Sequence, residues 1–182
     1  MKRKEEALIE LLSDNRELLQ AECISKLFAK APDIDEEVVR EQFNLLALDF
    51  HEKYYSAVML SFEPIPEEKH GSDYYFGAFR KMLETTFISN GFQIFSFWRD
   101  VNTLLCLIGW SVGNDVCRIE ALLSGLIEKS NYIIHIGVTV SIGKAVTRLS
   151  DLYKSAEYEQ MPFNYNRQHI ESKNLLITSA KV

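Results

Sequence analysis

The segment Phe92–Trp110, F-Q-I-F-S-F-W-R-D-V-N-T-L-L-C-L-I-G-W, decides how this chain folds. Two apolar runs, 92–98 and 103–110, are separated by Arg99-Asp100-Val101-Asn102, whose length and composition are typical of a hairpin turn. We therefore expect two adjacent antiparallel strands in the middle of the chain.

The residues before this hairpin predict a strand followed by a helix. Tyr54–Phe62 is a short, nearly continuous apolar run, which suits a strand covered on both faces. Ser72 or Asp73 can then cap a helix, and Asn90-Gly91 can end it in a left-handed conformation.

The residues after the hairpin repeat this pattern in the opposite order. Apolar residues on one face predict a helix from 116 to 127, and Tyr132–Ile142 predicts a fourth strand. A last helix near 151–160 and a terminal strand at Leu175–Thr178 follow. The order β-α-β-β-α-β predicts an α+β fold of the ferredoxin-like or nucleotide-cyclase-like type, in which helices cover one face of an antiparallel sheet.

An N-terminal helical hairpin precedes this fold. Apolar residues at three- and four-residue spacing predict one helix over 3–30, and Asp33 with Glu36 resembles a capping box for a second helix. We therefore divide the chain into a helical part, 1–50, and an α+β domain, 51–182.

The first helix has two interpretations. Leu8, Leu11, Asn15, Leu18 and Glu22 fit a/d-type coiled-coil positions, where a polar Asn sets the register of a two-stranded seam. The same pattern also fits an amphipathic helix packed on its own domain. The first interpretation predicts a homodimer with Leu8, Leu11, Asn15 and Leu18 in its seam.

Composition excludes several classes of function. The 182 residues carry a formal net charge of −6, which argues against direct contact with nucleic acid. The three cysteines, Cys23, Cys106 and Cys117, lack metal-ligand spacing and suit a reducing, cytoplasmic compartment. No apolar run is long enough for a membrane span. The sequence shows no catalytic, cofactor or metal motif, so we expect a protein that is not an enzyme.

The segment Gly137-Val-Thr-Val-Ser-Ile-Gly143-Lys144 invites comparison with a phosphate-binding loop. Such a loop has four residues between its glycines and Ser or Thr after the lysine, whereas this segment has five and then Ala145. The segment is better interpreted as a strand.

The predicted element order, with Val138-Thr-Val-Ser-Ile-Gly143 on the last strand, resembles the GGDEF diguanylate cyclase family. In that family, catalysis needs an acidic metal ligand at the end of the first strand and a G-G-D/E-E-F turn between the middle strands. Here Ser61 stands at the position of the acidic metal ligand, although Glu63 follows it. The turn at 99–103 lacks the glycine pair. The resemblance therefore implies a degenerate member of that family.

A closer resemblance covers residues 13–155. Ser13-Asp-Asn-Arg-Glu-Leu-Leu19, Phe43-Asn-Leu-Leu-Ala-Leu-Asp-Phe50 and Leu149-Ser-Asp-Leu152 are similar to the region before the DNA-binding units of large AraC-type bacterial transcription regulators. The resemblance implies a regulatory piece of a longer protein, with a sensor or receiver upstream and helix-turn-helix units downstream. A second implied function is a sensor that binds a nucleotide or cyclic dinucleotide without turnover. Arg99, Asp100 and Asn102 are its candidate contacts, although they also suit a turn for backbone reasons alone.

Overall fold

The computed structural model describes residues 2–29, 35–63, 72–111, 113–134, 137–157 and 175–178. Within these ranges, side chains are described except at residues 2, 8, 9, 11, 12, 14, 72, 73, 131–134 and 175–178. The chain is an α+β protein, as the sequence predicts. Its elements, in chain order, are α1 (Lys2–Ala29), α2 (Glu36–Leu45), β1 (Tyr54–Phe62), α3 (Ser72–Ser89), β2 (Gln93–Asp100), β3 (Thr103–Trp110), α4 (Val116–Ile134), β4 (Val138–Ile142), a 3-10 turn (Leu149–Asp151) that continues as α5 (152–157), and β5 (Leu175–Thr178).

The described strands form one five-stranded sheet in the order β2-β3-β1-β4-β5. β1 lies at the centre and pairs antiparallel with both β3 and β4, while β2 pairs antiparallel with β3. The predicted terminal strand is confirmed as β5, which adds to the outer side of β4 in parallel orientation.

Helices cover both faces of the sheet, so the predicted one-sided covering is wrong. Alternate residues of β1 point into two separate apolar cores, because successive side chains of a strand face opposite sides. Val58, Leu60 and Phe62 pack with α3 and α4 on one face. Tyr55, Ala57 and Met59 pack on the other face with α1, α2 and residues 149–156. The continuous apolar run of β1, which predicts two-sided burial, is the local sign of this arrangement.

The second core ties the end of α1 to the sheet. Ile24, Leu27 and Phe28 are buried in it, together with Val39 and Phe43 of α2. The Gln20 side-chain amide also donates a hydrogen bond of 2.7 Å to the Leu46 carbonyl after α2. The last three turns of α1 are therefore part of the globular core, as the amphipathic interpretation requires.

Three local predictions need correction. α4 continues to Ile134, so residues 132–134 are helical rather than part of the fourth strand, because a short apolar run fits either structure. The N-cap of α2 is Asp35, and Glu36 bonds elsewhere, so the capping box is wrong; Asp33 itself lies outside the described residues. The β2–β3 turn is also tighter than predicted, since Asp100 pairs directly with Thr103.

The helix end predicted at Asn90-Gly91 is confirmed. α3 ends at Ser89, and Gly91 has a φ of 82°, a left-handed conformation that a glycine adopts without steric cost. Among the described residues, no helix combines the length and the apolar character that crossing a membrane demands.

Candidate functional site

The tip of the β2–β3 hairpin lies at one edge of the sheet, beside the end of β1 and the start of β4. The Phe62 N–H donates a hydrogen bond of 2.9 Å to the Asn102 carbonyl, and the Glu63 N–H donates one of 2.8 Å to the Gly137 carbonyl. These two bonds bring the last residues of β1 against both neighbours. The end of β1 and the turn at 99–103, the two places that the sequence comparison singled out, therefore lie together at this edge.

A groove of about 470 Å³ opens at this edge, between the hairpin and the first turns of α3. Its described lining consists of Phe76, Gly77, Trp98, Asp100 and Val101. The Phe76 and Trp98 rings have centroids 6.3 Å apart, and both pack on Phe62. The volume lies within the range of small-molecule pockets, which are mostly apolar with a few polar groups.

Asp100 is the charged side chain among the described residues that line this groove. Its Oδ1 accepts a 3.1 Å hydrogen bond from the Asn102 N–H. Partial burial acts to raise the pKa of Asp100, but the hydrogen bonds from Asn102 and Thr103 and the charge of Arg99 lower that pKa below its ordinary value. The carboxylate is therefore ionised at neutral pH and has a hydrogen bond to the turn that carries it.

The three predicted ligand contacts occupy different places in this arrangement. Asp100 lines the groove, whereas Arg99 is exposed and lies 3.8 Å from the Asp100 carboxylate. Asn102 contributes its backbone, whose N–H and carbonyl bond to Asp100 and Phe62. These backbone contacts support the interpretation of Asn102 as a turn residue.

The aromatic part of the groove was not predicted as a site. Phe76 and Trp98 belong to a helix face and a strand run, where aromatic residues are usually core. Their sequence spacing carries no sign that the two rings meet beside Asp100. Only the packing of α3 along β2 brings them together.

The residues at this edge do not fit the two-metal site of the resembled family. Ser61, at the end of β1, offers a hydroxyl where a carboxylate would be needed, and Asp100 is the one acidic side chain of the turn at 99–103. In the parts of the chain that the structure describes, no group of three or more His, Cys, Asp and Glu side chains is placed to hold a metal ion.

The glycine at the end of β4 has a packing role. A Cβ built on Gly143 would come within 2.8 Å of the carbonyl carbon of Ser155, and closer still to the Ser155 oxygen atoms. The Gly143 carbonyl also accepts a 2.7 Å hydrogen bond from the Ser56 hydroxyl. Residues 138–142 form β4, so the interpretation of this segment as a strand is confirmed.

The second candidate surface is the exposed part of α1. Every described side chain from Arg3 to Leu19 is exposed, and Gln20 is the first described one that is buried. Leu18 keeps 68% of its surface exposed and Leu19 keeps 50%. Of the predicted seam residues, Asn15 and Leu18 are exposed, whereas the side chains of Leu8 and Leu11 lie outside the described residues.

Leu19, at the end of this stretch, lines a groove that extends onto α2. This groove of about 600 Å³ separates the two helices, and Leu19, Leu27 and Leu46 are among its described lining residues. Leu45, at the end of α2, also lines it and is 85% exposed. Large exposed leucines that lie together are typical of surfaces that bind another protein.

Comparison with known proteins finds neither a protein-family model nor a curated protein that matches this chain. Any assignment of function therefore depends on the motifs and on the two surfaces described above.

Proposed function

We propose that this chain is a non-catalytic dimerisation and signal-relay module of a cytoplasmic bacterial transcription regulator of the AraC type. In this proposal α1 pairs with its copy in a homodimer and passes a change of register or spacing to the α+β domain. A sensor or receiver upstream would supply the signal, and helix-turn-helix units downstream would bind DNA. The acidic net charge of −6 agrees with a chain that does not bind DNA itself.

The exposed stretch of α1 is the observation that carries this proposal. Residues 2–19 of the helix would extend roughly 27 Å at 1.5 Å per residue. Most of the stability of a helix in a protein comes from packing one of its faces against other elements, so packing against a second helix would stabilise this stretch.

The orientation of the exposed stretch favours a partner over the chain's own core. Asn15 precedes the buried Ile24 by nine residues, and Leu18 precedes the buried Gln20 by two. At 3.6 residues per turn, each pair lies on nearly opposite sides of the helix, roughly 180° and 160° apart. Asn15 and Leu18 therefore face away from the domain that α1 covers.

Two further observations support the resemblance to a degenerate cyclase domain. The strand order β2-β3-β1-β4, with antiparallel pairing throughout, is the order that a ferredoxin-like β-α-β-β-α-β arrangement requires. The edge that would carry the catalytic groups has Ser61 and a turn without glycines. Incubation with GTP and Mg²⁺ should accordingly yield no cyclic product, and a measurable product would reject the non-catalytic assignment.

Solution mass as a function of concentration tests the dimer. Leu18→Glu should shift the protein from dimer towards monomer, and Leu11→Glu with Leu18→Glu should complete the shift, because a seam cannot bury unpaired carboxylates. Leu18 is exposed within one chain, so the substitution leaves the monomer core intact. Ser13→Glu is the matched control: it adds the same charge to an exposed position of α1 outside the seam. An unchanged mass for the double variant would refute the proposed seam.

The groove beside Asp100 favours a second candidate function, a sensor that binds a nucleotide or cyclic dinucleotide without turnover. Phe76 and Trp98 could contact a planar base, and the Asp100 carboxylate could accept hydrogen bonds from it. Calorimetric titration with GTP and with cyclic dimeric GMP in Mg²⁺ tests this function. Binding in the micromolar range that Trp98→Ala abolishes would support it, and no heat at high micromolar ligand would reject it.

A further inference from the structure

A single carboxylate joins the N-terminal helices to the segment at 149–157. Glu36, the first residue of α2, accepts hydrogen bonds from the backbone N–H groups of Leu149 (3.0 Å) and Ser150 (2.8 Å). These N–H groups belong to the first turn of the segment and have no partner within their own helix. A carboxylate also suits that position because the start of a helix carries a partial positive charge.

The Glu36 side chain is held in place by its own helix. The Arg40 guanidinium, one turn later, lies 3.3 Å from the Glu36 carboxylate and also donates a hydrogen bond of 3.4 Å to the Phe50 carbonyl. The Glu36 side chain is only 17% exposed. Its position therefore follows any movement of α2 relative to the sheet.

Apolar packing connects the same elements. Leu149 and Leu152 are fully buried in the core that also contains Leu27 of α1 and Val39 and Phe43 of α2. Both α1 and α2 contact the Leu149–Asp151 turn. The helix that would receive the signal and the segment from which the chain continues therefore lie on one face of the sheet, whereas α3 and α4 lie on the other.

We propose that Glu36 is a positioning residue that couples the state of α1 to the 149–157 segment. This inference rests on the proposed relay function and names the contact through which the relay leaves the N-terminal helices. A shift of α1 moves α2 through their shared core, and α2 carries the Glu36 carboxylate with it. The two N–H groups of Leu149 and Ser150 then strengthen or lose their hydrogen bonds, and the start of the segment tightens or loosens.

Amide hydrogen exchange at Leu149 and Ser150, followed by NMR, measures this coupling directly. In the otherwise unchanged chain, dissociation of the dimer by Leu18→Glu should change the exchange rates of these two amides by about fivefold or more, as allosteric couplings usually do. Glu36→Gln should raise both rates by roughly tenfold, because the hydrogen bonds lose their charged acceptor. In that background, Leu18→Glu should no longer change the rates.

Glu37→Gln is the matched control, because it removes the same charge from the same first turn at an exposed position. It should leave the response of the two amides to Leu18→Glu intact. If Glu36 has only a structural role, Glu36→Gln would lower stability, but Leu18→Glu would still change the exchange rates of both amides. That result would overturn the inference. A monomeric Leu18→Glu variant with unchanged exchange at both amides would also overturn it, while leaving the dimer seam standing. An unchanged solution mass for the double variant, Leu11→Glu with Leu18→Glu, would reject the seam and, with it, the coupling.

Discussion

Replacing Gly143 by alanine should destabilise this protein far more than a single methyl group suggests. The added Cβ would lie within 2.8 Å of the Ser155 carbonyl carbon, a distance that real Cβ atoms do not adopt. Neither Gly143 nor Ser155 can move away easily. The Gly143 N–H and carbonyl are both hydrogen-bonded to β1, and the Ala57 N–H donates a 2.9 Å bond to the Ser155 hydroxyl oxygen.

The cost has two parts. Forcing an extra carbon into a packed interior costs about 1–3 kcal/mol. Moving Ser155 would also leave the Ala57 N–H buried without its acceptor, which costs about 1–3 kcal/mol. We therefore expect Gly143→Ala to lower the free energy of unfolding by about 2–6 kcal/mol, out of a total of about 5–15 kcal/mol for a typical domain.

Urea denaturation and thermal melting measure this effect. For a chain of this length, such a loss corresponds to a melting temperature lower by roughly 4–24 °C. Gly125→Ala is the control: Gly125 lies inside α4, and apart from its own helix backbone and chain neighbours no described atom comes within 4 Å of an added Cβ. That substitution should stabilise the protein by about 0.5–1 kcal/mol, because alanine favours helix.

A Gly143→Ala variant as stable as the unaltered chain would refute the packing explanation. Gly143 would then need a role other than close approach between β4 and the 149–157 segment. A change in stability equal to that produced by Gly125→Ala would have the same meaning, since it would show no effect specific to the site.

Two other predictions concern ionisable groups. The pKa of Asp100 is lower in the folded chain than the ordinary aspartate value of 3.8, so its contribution to stability is complete above that pH and is lost as the pH falls through the folded-state pKa. Asp100→Asn should therefore make the free energy of unfolding fall less steeply as the pH is lowered. Urea titrations at several acidic pH values measure this, and an unchanged dependence on pH would contradict the prediction. Burial raises the pKa of the Cys23 thiol, and Lys26 offsets part of that rise, so alkylation at pH 8 should modify exposed Cys117 first, Cys23 more slowly and buried Cys106 last. Mass spectrometry of the labelled peptides measures the order, and modification of Cys23 before Cys117 would show that its thiol is more open than the structure indicates.

Local patterns in the sequence are enough to predict most of the elements. The spacing of apolar residues predicts α1, and the composition of the Arg99–Asn102 turn predicts the hairpin. The end of α3 at Asn90-Gly91 is equally local, because the left-handed conformation of Gly91 is a property of that residue. Each of these features depends on residues within a few positions of one another.

The candidate sites are predicted less well. Asp100, a predicted ligand contact, lines the groove, but its neighbours Phe76 and Trp98 are not predicted there. Glu36 is assigned to the wrong helix start, because the carboxylate that fits a local capping box bonds instead to a helix start in the second half of the chain. The alternation of faces along β1 predicts burial on both sides without indicating which helices provide it.

By itself, the sequence determined the order of the elements, the hairpin, the strand nature of 138–142 and the two-sided burial of β1. Periodicity and turn chemistry are properties of short segments, so they can be identified without knowledge of the fold. Only the tertiary structure decided that α1, α2 and the 149–157 segment share one face, and that Glu36 bonds to Leu149 and Ser150. Those hydrogen bonds join residues 113 and 114 positions apart, and pairing over such distances depends on how the whole sheet brings its elements together.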